Sequence, residues 1–473
     1  MRTLILLSAL LIVSCKQESK TTGANQVDQS SYALTDKIEA QIQHYIALDI
    51  FSGVVMVAEK GAPVYHKAFG LADRSTKTPN NLNTLFDIGS MNKTFTSIVV
   101  KQLENEGKLN FDDKLIDHIP GFNDPQVSKI TIRQLLNHTS GFGDYHTGEY
   151  FDLPKSEKTL DAIVERAKNY RLLFEPGSGD EYSNLGYVIL GAVIEKVSEK
   201  SYFDNVHERI VKPLKLEDTY LQNFDGLDDR IAKGYLYTPL GELEVNDTRQ
   251  DLPNPDGGFL STTLDIFKFY HSYYNDTLLL SEDIKEKDPL FQELKTIPEG
   301  QATGAAGGFD GFNSVMLYVP SDDLSIIVFA NMDEPVAEKI GFDILSLYKD
   351  KTVDKPQLPA VQNVRIAFES HGAEYVKANF EELTVNFHPT DPKDFILNML
   401  GYAYLYGANN SDKAIQIFKL NTEMFPDVAN CWDSYGEALK EKGDLEAAIR
   451  AYEKALEIRP DLESAKEALK TLR

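Results

Sequence analysis

A serine and a lysine three residues apart form the pattern in this sequence with the clearest chemical potential. Ser90 and Lys93 stand at positions i and i+3 of a segment predicted to be helical, so their side chains share one helix face. Serine is a poor nucleophile at neutral pH unless a neighbouring base accepts its proton, and a desolvated lysine can serve as that base. The pair therefore predicts nucleophilic catalysis by Ser90 with proton transfer to Lys93.

The spacing alone is weak evidence, because Ser346 and Lys349 match it too. The context of the two serines differs. Ser90 follows Phe-Asp-Ile-Gly at the start of a helix predicted over about residues 91–106, where backbone N–H groups can face a developing oxyanion. Ser346 lies within an ordinary amphipathic helical pattern, so we place the nucleophile at Ser90.

A tyrosine and an asparagine stand at the start of a later predicted helix, in the order Tyr182-Ser183-Asn184. A phenol beside the serine and lysine can relay a proton. The amide of Asn184 can hydrogen-bond a substrate or position the lysine. Alone the tripeptide is nearly uninformative, and it gains meaning from the Ser90–Lys93 pair.

Four segments in a fixed order resemble the serine β-lactamase and penicillin-binding superfamily, in the branch that holds class C enzymes, D-amino-acid peptidases and esterases. They are residues 86–94, 135–141, 174–184 and 257–262. The resemblance runs from about residue 36 to 345 and implies an α/β (α+β) sandwich flanking a helical subdomain. It also implies an acyl-enzyme on Ser90, proton movement by Lys93 and Tyr182, and an Asn184 that lines the substrate site.

The family's third element is a strand with Lys or His, any residue, and then Gly, and here Ala305 occupies the basic position. In the family that cation helps to bind a substrate carboxylate, so the resemblance predicts poor recognition of β-lactams, whereas family esterases can lack it. Gly307 and Gly308 still allow a substrate backbone to approach closely. The N–H groups of Gly308 and Ser90 are predicted to form the oxyanion hole, each donor contributing roughly 3 kcal/mol.

The first fifteen residues are predicted to be a targeting signal and not part of the folded domain. A basic start precedes an apolar run over residues 4–13, which is too short for a bilayer span of about 20 residues. The run ends in Ile-Val-Ser-Cys, which resembles the lipobox of bacterial lipoproteins, whose cysteine carries the lipid; an ordinary cleavage site beside an incidental cysteine is the alternative. We expect a signal peptide over 1–15, lipid on Cys15, and a flexible tether over 16–33. The protein would then sit in the bacterial cell envelope, at the outer membrane or facing the periplasm.

The remaining chain divides into a predicted hydrolase domain over 34–349, a charged linker over 350–365 and an all-α tetratricopeptide module over 366–473. Eight positions between Trp432 and Pro460 reproduce the 34-residue spacing of that repeat, and a second copy lies between Leu397 and Pro426. A generic helical bundle is the alternative. Segments 372–383 and 462–472 are expected to add helices, since two repeats rarely suffice. Such repeats bind proteins or peptides, which predicts a protein partner.

Charge and composition disfavour several classes of protein. The chain has 48 basic and 73 acidic residues, a net charge of −25, which argues against nucleic acid as the main partner. There is no H-E-x-x-H motif and no cysteine pair with ligand spacing, so neither metal nor cofactor is expected. Of the two cysteines, Cys431 is predicted to be a small buried side chain. His138 could act as a base, but the resembling family uses its loop structurally.

These patterns favour a lipid-anchored serine hydrolase that cleaves an ester or amide in a small molecule or peptide through an acyl-serine intermediate. Membrane contact would come through Cys15 and a protein partner through the repeats. The alternative is a catalytically degenerate, penicillin-binding-like lipoprotein that binds or senses through its repeats. Ala305 and the short stretch between residues 262 and 304 motivate it. Acylation of Ser90 by a covalent probe would separate the two.

Overall fold

The computed structural model describes residues 27–246, 252–332, 335–386 and 392–473. Cys15, the predicted signal peptide and most of the predicted tether lie outside the described residues. The chain divides into two compact units. The first holds Met1–Tyr235 and Val245–Asp354, and the second holds Leu236–Glu244 and Lys355–Arg473.

The strands of the described chain come early and late in the sequence, with helices between them. They are β1 Gly53–Glu59, β2 Ala62–Phe69, β3 Leu71–Asp73, β4 Thr78–Pro79, β5 Phe86–Asp87, β6 Gly234–Tyr237, β7 Leu243–Asn246, β8 Leu260–Ser261, β9 Thr303–Phe309, β10 Phe312–Val319 and β11 Leu324–Ala330. Five of them form an antiparallel sheet in the order β2-β1-β11-β10-β9. One sheet thus joins strands from both ends of the hydrolase segment.

Among the described residues of the first unit, α-helices lie before, between and after the strands of the sheet. They are α1 Val27–Ala47, α2 Asn92–Asn105, α3 Leu115–His118, α4 Ile132–Leu136, α5 Gly148–Phe151, α6 Leu160–Ala167, α7 Asn184–Ser198, α8 Tyr202–Val206, α9 Lys212–Leu214, α10 Thr263–Asn275, α11 Glu282–Lys287, α12 Pro289–Leu294 and α13 Val336–Tyr348. A 3-10 turn, Gly89–Met91, leads into α2, and a π-helical turn, His207–Val211, joins α8 to α9.

The sheet is covered on both faces, so its central strands β10 and β11 are buried along their whole length, as expected for strands between two layers of helices. Val315 faces α13, where a Cβ atom on Gly341 would lie 3.0 Å from its side chain. Its neighbour Met316 points to the other face and joins the core that includes Phe95 of α2 and Phe269 of α10. The α/β sandwich with a helical subdomain is thereby confirmed.

The second unit contains the repeat helices and a short hairpin segment from far upstream. Its helices are α14 Ala360–His371, α15 Ala373–Leu383, α16 Asp394–Tyr402, α17 Ser411–Met424, α18 Ala429–Lys442, α19 Leu445–Ile458 and α20 Glu463–Leu472. Each repeat places a glycine of its first helix against an aromatic ring of its second. A Cβ atom on Gly401 would lie 2.5 Å from the ring of Phe418, and one on Gly436 would lie 3.0 Å from the ring of Tyr452. Cys431 is fully buried within α18, as predicted.

Two predicted segment bounds differ from the structure. Helix α14 begins at Ala360, inside the predicted linker over 350–365, because Val361, Val364 and Phe368 form an apolar stripe directly after Pro359. Helix α1 begins at Val27, inside the predicted tether over 16–33. No helix in the described ranges is both long enough and apolar enough to cross a membrane.

Candidate active site

Ser90 lies in the 3-10 turn directly before α2, at the point where the chain passes from β5 into the helix. A hydrogen bond stabilises this turn: the backbone N–H of Gly89 donates to a carboxylate oxygen of Asp87 at 2.8 Å. The predicted helix over residues 91–106 is α2, Asn92–Asn105. Its first turn therefore carries Lys93 on the same side as Ser90.

Lys93 is nearly buried and contacts the serine directly. Its Nζ atom lies 3.0 Å from Ser90 Oγ and 2.8 Å from the backbone oxygen of Asp256. The ammonium group also stands 5.0 Å from the ring centre of Tyr182 and 5.8 Å from that of Tyr187. Aromatic ring faces attract a nearby amine head group, so the two tyrosine rings help to hold the Lys93 side chain in place.

Tyr182 completes a three-residue cluster around the hydroxyl group. Its phenol O–H lies 2.9 Å from Ser90 Oγ. The ring of Tyr182 stacks on the ring of His138, with 4.6 Å between the two ring centres. Ser183 caps the following helix α7 by accepting from the N–H of Gly186 at 3.0 Å, which sets the direction of the whole segment. The structure thus brings Ser90, Lys93 and Tyr182 together.

His138 occupies a supporting position. Its Nδ1 atom accepts the backbone N–H of Ser183 at 3.1 Å, which requires that nitrogen to be unprotonated. Burial, together with the charge of Lys93, lowers the pKa of His138 to about 4. The ring therefore stays neutral near pH 7 and holds Tyr182 and Ser183 in place, as the loop's structural role implied.

Asn184 lies at the first position of α7, and its amide binds side chains that the sequence analysis did not single out. Nδ2 donates to Asp144 at 3.0 Å and lies 3.3 Å from Nδ1 of His146. Burial opposes protonation of His146, but the hydrogen bond to Asp144 and the charge of Asp256 raise its pKa overall. A charged carboxylate and a titratable imidazole therefore border the site beside Asn184.

The strand β9 runs against the nucleophile turn so closely that side chains are excluded. A Cβ atom on Gly307 would collide with the carbonyl oxygen of Ile88 and lie 2.8 Å from the nitrogen of Ser90. A Cβ atom on Gly89 would lie 2.5 Å from the nitrogen of Gly308. The backbone nitrogens of Ser90 and Gly308 are thus neighbours, which is the arrangement that two oxyanion donors require.

Ala305 lies on the same edge strand, two residues before Gly307. Successive side chains of a strand alternate between faces, so Ala305 points to the face that meets the nucleophile turn. In the described chain, the stretch between Thr262 and Thr303 folds into α10, α11 and α12. As the short stretch between residues 262 and 304 suggested, these described residues hold no further strand before β9, which carries the third motif itself.

Asp256 and Tyr145, like Asp144 and His146, are site residues that the sequence reasoning missed. Asp256 is 4% exposed, and its carboxylate accepts the hydroxyl of Tyr145 at 3.1 and 3.2 Å. An acidic residue immediately before Gly257-Gly258 was the available signal, because a carboxylate that is buried beside such a motif needs a hydrogen-bonding partner. The motif considered from the sequence began one residue later.

Comparison with protein-family models identifies the family of this chain. The family model named Beta-lactamase matches residues 36–346, and a model named TPR repeat matches residues 436–469. The chain therefore belongs to the β-lactamase and penicillin-binding family of serine hydrolases and carries a C-terminal tetratricopeptide repeat. It is an enzyme of the serine hydrolase class.

Two curated relatives illustrate the range of the family. Penicillin-binding protein 4* of Bacillus subtilis is 33% identical over 315 residues, which covers 60% of this chain and 69% of that protein. Teichoic acid D-alanine hydrolase of Staphylococcus aureus is 32% identical over 211 residues, which covers 44% of this chain. The chain spans only 51% of that second relative.

Solved structures show the same fold. The octameric penicillin-binding protein homologue from Pyrococcus abyssi has a TM-score of 0.60 and 25% identity, covering 70% of this chain and 81% of that one. The D-amino acid amidase from Ochrobactrum anthropi SV3 has a TM-score of 0.57 and 23% identity, covering 67% and 99%. The latter likeness establishes the architecture alone.

Proposed function

We propose that this protein hydrolyses an ester or amide bond through an acyl intermediate on Ser90. The observation that carries the proposal is the position of Ser90 Oγ, 3.0 Å from Lys93 Nζ and 2.9 Å from the hydroxyl of Tyr182. Two groups that can exchange protons with one hydroxyl make it an activated nucleophile. The adjacent backbone nitrogens of Ser90 and Gly308 support the same assignment.

The steps follow from these positions. Lys93 and Tyr182 remove the proton from Ser90 as its oxygen attacks the substrate carbonyl, and the N–H groups of Ser90 and Gly308 stabilise the resulting oxyanion. Collapse of this intermediate expels the alcohol or amine, which takes up the proton and leaves an acyl group on Ser90. A water molecule, deprotonated by the same groups, then releases the acid and restores the serine.

We propose a small-molecule or peptide ester or amide as the substrate class. The relative named as a teichoic acid D-alanine hydrolase supports this range, since its name describes hydrolysis of an alanyl group. Ala305 supports an uncharged group, or one without a carboxylate, at the position next to the third motif. Asn184, bound to Asp144, is proposed to line the acyl side of the site.

Replacing the nucleophile tests the proposal directly. Ser90→Ala is expected to lower turnover of a p-nitrophenyl ester by about a million-fold, since loss of a serine nucleophile has that effect in a comparable enzyme. Wild-type protein should also be labelled covalently by a fluorophosphonate, and Ser90→Ala should not. Turnover and labelling are measured on purified residues 16–473.

Ser346→Ala is the matched control, because Ser346 is the other serine with a lysine three positions later and stands near the end of α13. It should keep wild-type turnover and labelling. Equal activity of Ser90→Ala and wild type would overturn the assignment of the nucleophile. The absence of labelling of wild-type protein by any acylating probe would favour the binding or sensory alternative.

We further propose that lipid on Cys15 anchors the protein in the bacterial cell envelope, with the repeat unit available to a protein partner. The apolar run and the Ile-Val-Ser-Cys sequence support the anchor, and the repeat family supports the partner. Cys15→Ser in the native host should abolish incorporation of a labelled fatty acid and move the protein from the membrane fraction to the soluble fraction. Unchanged lipid incorporation in this variant would contradict the anchor.

A further inference from the structure

A loop between α4 and α5 brings a carboxylate and an imidazole to the start of α7. Tyr145 anchors this loop, because its side chain is buried and its hydroxyl donates to both carboxylate oxygens of Asp256 at 3.1 and 3.2 Å. The neighbours Asp144 and His146 remain partly open, with side chains that are 31% and 28% exposed. Both contact Asn184, the first residue of α7. The loop and the helix therefore share a polar cluster that solvent can reach.

The carboxylate of Asp144 determines which end of the Asn184 amide is left for a substrate. Asn184 Nδ2 lies 3.0 Å from Asp144 Oδ2 and 3.3 Å from His146 Nδ1. A carboxylate only accepts hydrogen bonds, so the amide must present its NH2 group to it and not its oxygen. The opposite end of the amide, Oδ1, makes no hydrogen bond within the described residues. The free hydrogen-bonding atom of Asn184 is therefore an acceptor.

The carboxylate of Asp144 keeps acceptor capacity as well. Its Oδ1 accepts the backbone N–H of His146 at 3.2 Å and lies 3.3 Å from Nδ1 of the same residue, whereas Oδ2 accepts from Asn184. A carboxylate has about four acceptor sites, so at least one remains on the oxygen that faces Asn184. Burial opposes ionisation, but the hydrogen bonds and charge of His146 and the bond from Asn184 lower the pKa of Asp144. Two acceptors, one of them charged, thus lie side by side.

We propose that Asp144 is a specificity-determining residue, which leaves the oxygen of Asn184 facing the acyl group and so selects acyl groups that carry a free ammonium over those whose amine is acylated. This inference rests on the proposed acyl-Ser90 function, with Asn184 on its acyl side, and names the substrate class as esters or amides of an amino acid with a free amino group. An ammonium has three donors and no acceptor, and its bonds to a carboxylate are about twice as strong as neutral ones. An amide carbonyl in the same place would meet acceptors and lose its hydrogen bond to water without replacement.

Benzyl esters that differ only in the acyl group test the proposal on purified residues 16–473. They are the esters of alanine and of N-acetylalanine, each in both enantiomers, and benzyl propionate. An ammonium activates an ester by itself, so each kcat/KM is divided by the rate constant for hydroxide-catalysed hydrolysis of the same ester. Wild type should then prefer the better alanine enantiomer to propionate by about tenfold or more, and should hydrolyse N-acetylalanine esters no faster than propionate. Equal values for alanine and propionate would overturn the proposal.

Asp144→Asn removes the charge and supplies an N–H donor in its place. The preference for alanine over propionate should fall by about tenfold, and the N-acetylalanine ester should gain relative to both. A ratio between substrates cancels a general loss of activity, so a merely structural role for Asp144 would lower all three values by one factor, and that result would contradict the proposal. The wild-type comparison needs no variant and decides the matter even where Asp144→Asn folds poorly.

Glu149→Gln is the matched control, because Glu149 is an exposed carboxylate of α5, close to Asp144 in sequence. It should keep the wild-type preference, and a loss equal to that in Asp144→Asn would assign the preference to net charge and overturn a specific role for Asp144. Ser90→Ala separates the two proposals. Hydrolysis without preference that is lost in Ser90→Ala refutes the specificity alone, whereas hydrolysis that survives in Ser90→Ala, or is absent from wild type, refutes the acyl-serine function as well.

Discussion

Ala305 is the residue on which the proposed preference for substrates without a carboxylate depends, because it stands at the basic position of the third motif. It shares a face of β9 with Gly307, which packs directly on the nucleophile turn. Residues two apart on a strand are separated by about 6.6 Å, a distance that a lysine side chain spans. A cation placed at this position could therefore reach a carboxylate on an acyl group bound at Ser90.

We accordingly predict that Ala305→Lys or Ala305→His increases acylation by carboxylate-bearing β-lactams. The added charge pairs with the substrate carboxylate in a partly desolvated site, where a charge-assisted hydrogen bond contributes about 1.5–3 kcal/mol, or roughly a tenfold or greater rise in acylation rate. The second-order rate of labelling by a fluorescent penicillin measures it.

Ala306→Lys is the control, because the neighbouring residue points to the opposite face of the sheet. It should acylate no faster than wild type. Equal rates for Ala305→Lys and wild type would mean that the basic position of the third motif lies elsewhere in the chain.

The contacts among the site residues could be predicted from the sequence to different degrees. Ser90 and Lys93 are three residues apart on one helix, so local geometry alone predicts their contact. Tyr182 lies 92 residues from Ser90, and only the family resemblance placed it there. Asp256 and Tyr145 had neither aid, because their contact depends on two loops that meet only in the folded chain.

At the scale of elements, the oxyanion site depends on one edge strand staying against one turn. Ser314 of β10 is fully buried, and its hydroxyl lies 3.0 Å from the carbonyl oxygen of Ile88 and 3.1 Å from that of Gly307. A single side chain thus ties β9 to the turn before Ser90. Ser314 and Ile88 are 226 residues apart, so no local pattern could reveal this link.

The elements that sequence predicted well are those with a complete local signal. Helix α2 differs from its predicted bounds by one residue at each end, and Asn184 begins α7 as predicted. The linker prediction gave weight to charge and proline over 350–365. A proline is tolerated just before a helix, so Pro359 marked the start of α14 and not its absence.

In the molecule as a whole, the chain passes between the two units more than once, which composition does not reveal. The chain enters the second unit at Leu236, leaves it at Glu244 and returns at Lys355. Within that unit, Gln362 of α14 donates to the backbone oxygen of Thr238 at 2.6 Å, across 124 residues of sequence. A segment surrounded in sequence by hydrolase residues therefore belongs to the repeat unit.

Leu240 should carry part of the stability of that unit. It packs against the core formed by α14 to α18, and its Cδ1 atom would lie 3.6 Å from a Cβ atom on Gly407. Leu240→Ala removes a half-buried side chain and should cost about 1–2 kcal/mol, less than the 2–5 kcal/mol of a fully buried leucine. For a unit of this size, that lowers the midpoint of thermal unfolding by about 4–7 °C.

Calorimetry of the full chain, with ester hydrolysis followed over the same temperatures, separates the two units. In Leu240→Ala the transition of the helical unit should move down, while the temperature at which hydrolysis is lost stays where it is in wild type. Leu278→Ala, at a leucine that is 56% exposed in the first unit, should move neither. If Leu240→Ala leaves every transition in place, the hairpin segment contributes nothing to the repeat unit. If hydrolysis is lost at the lower temperature together with the helical transition, the two units unfold as one, and residues 236–244 connect their stabilities.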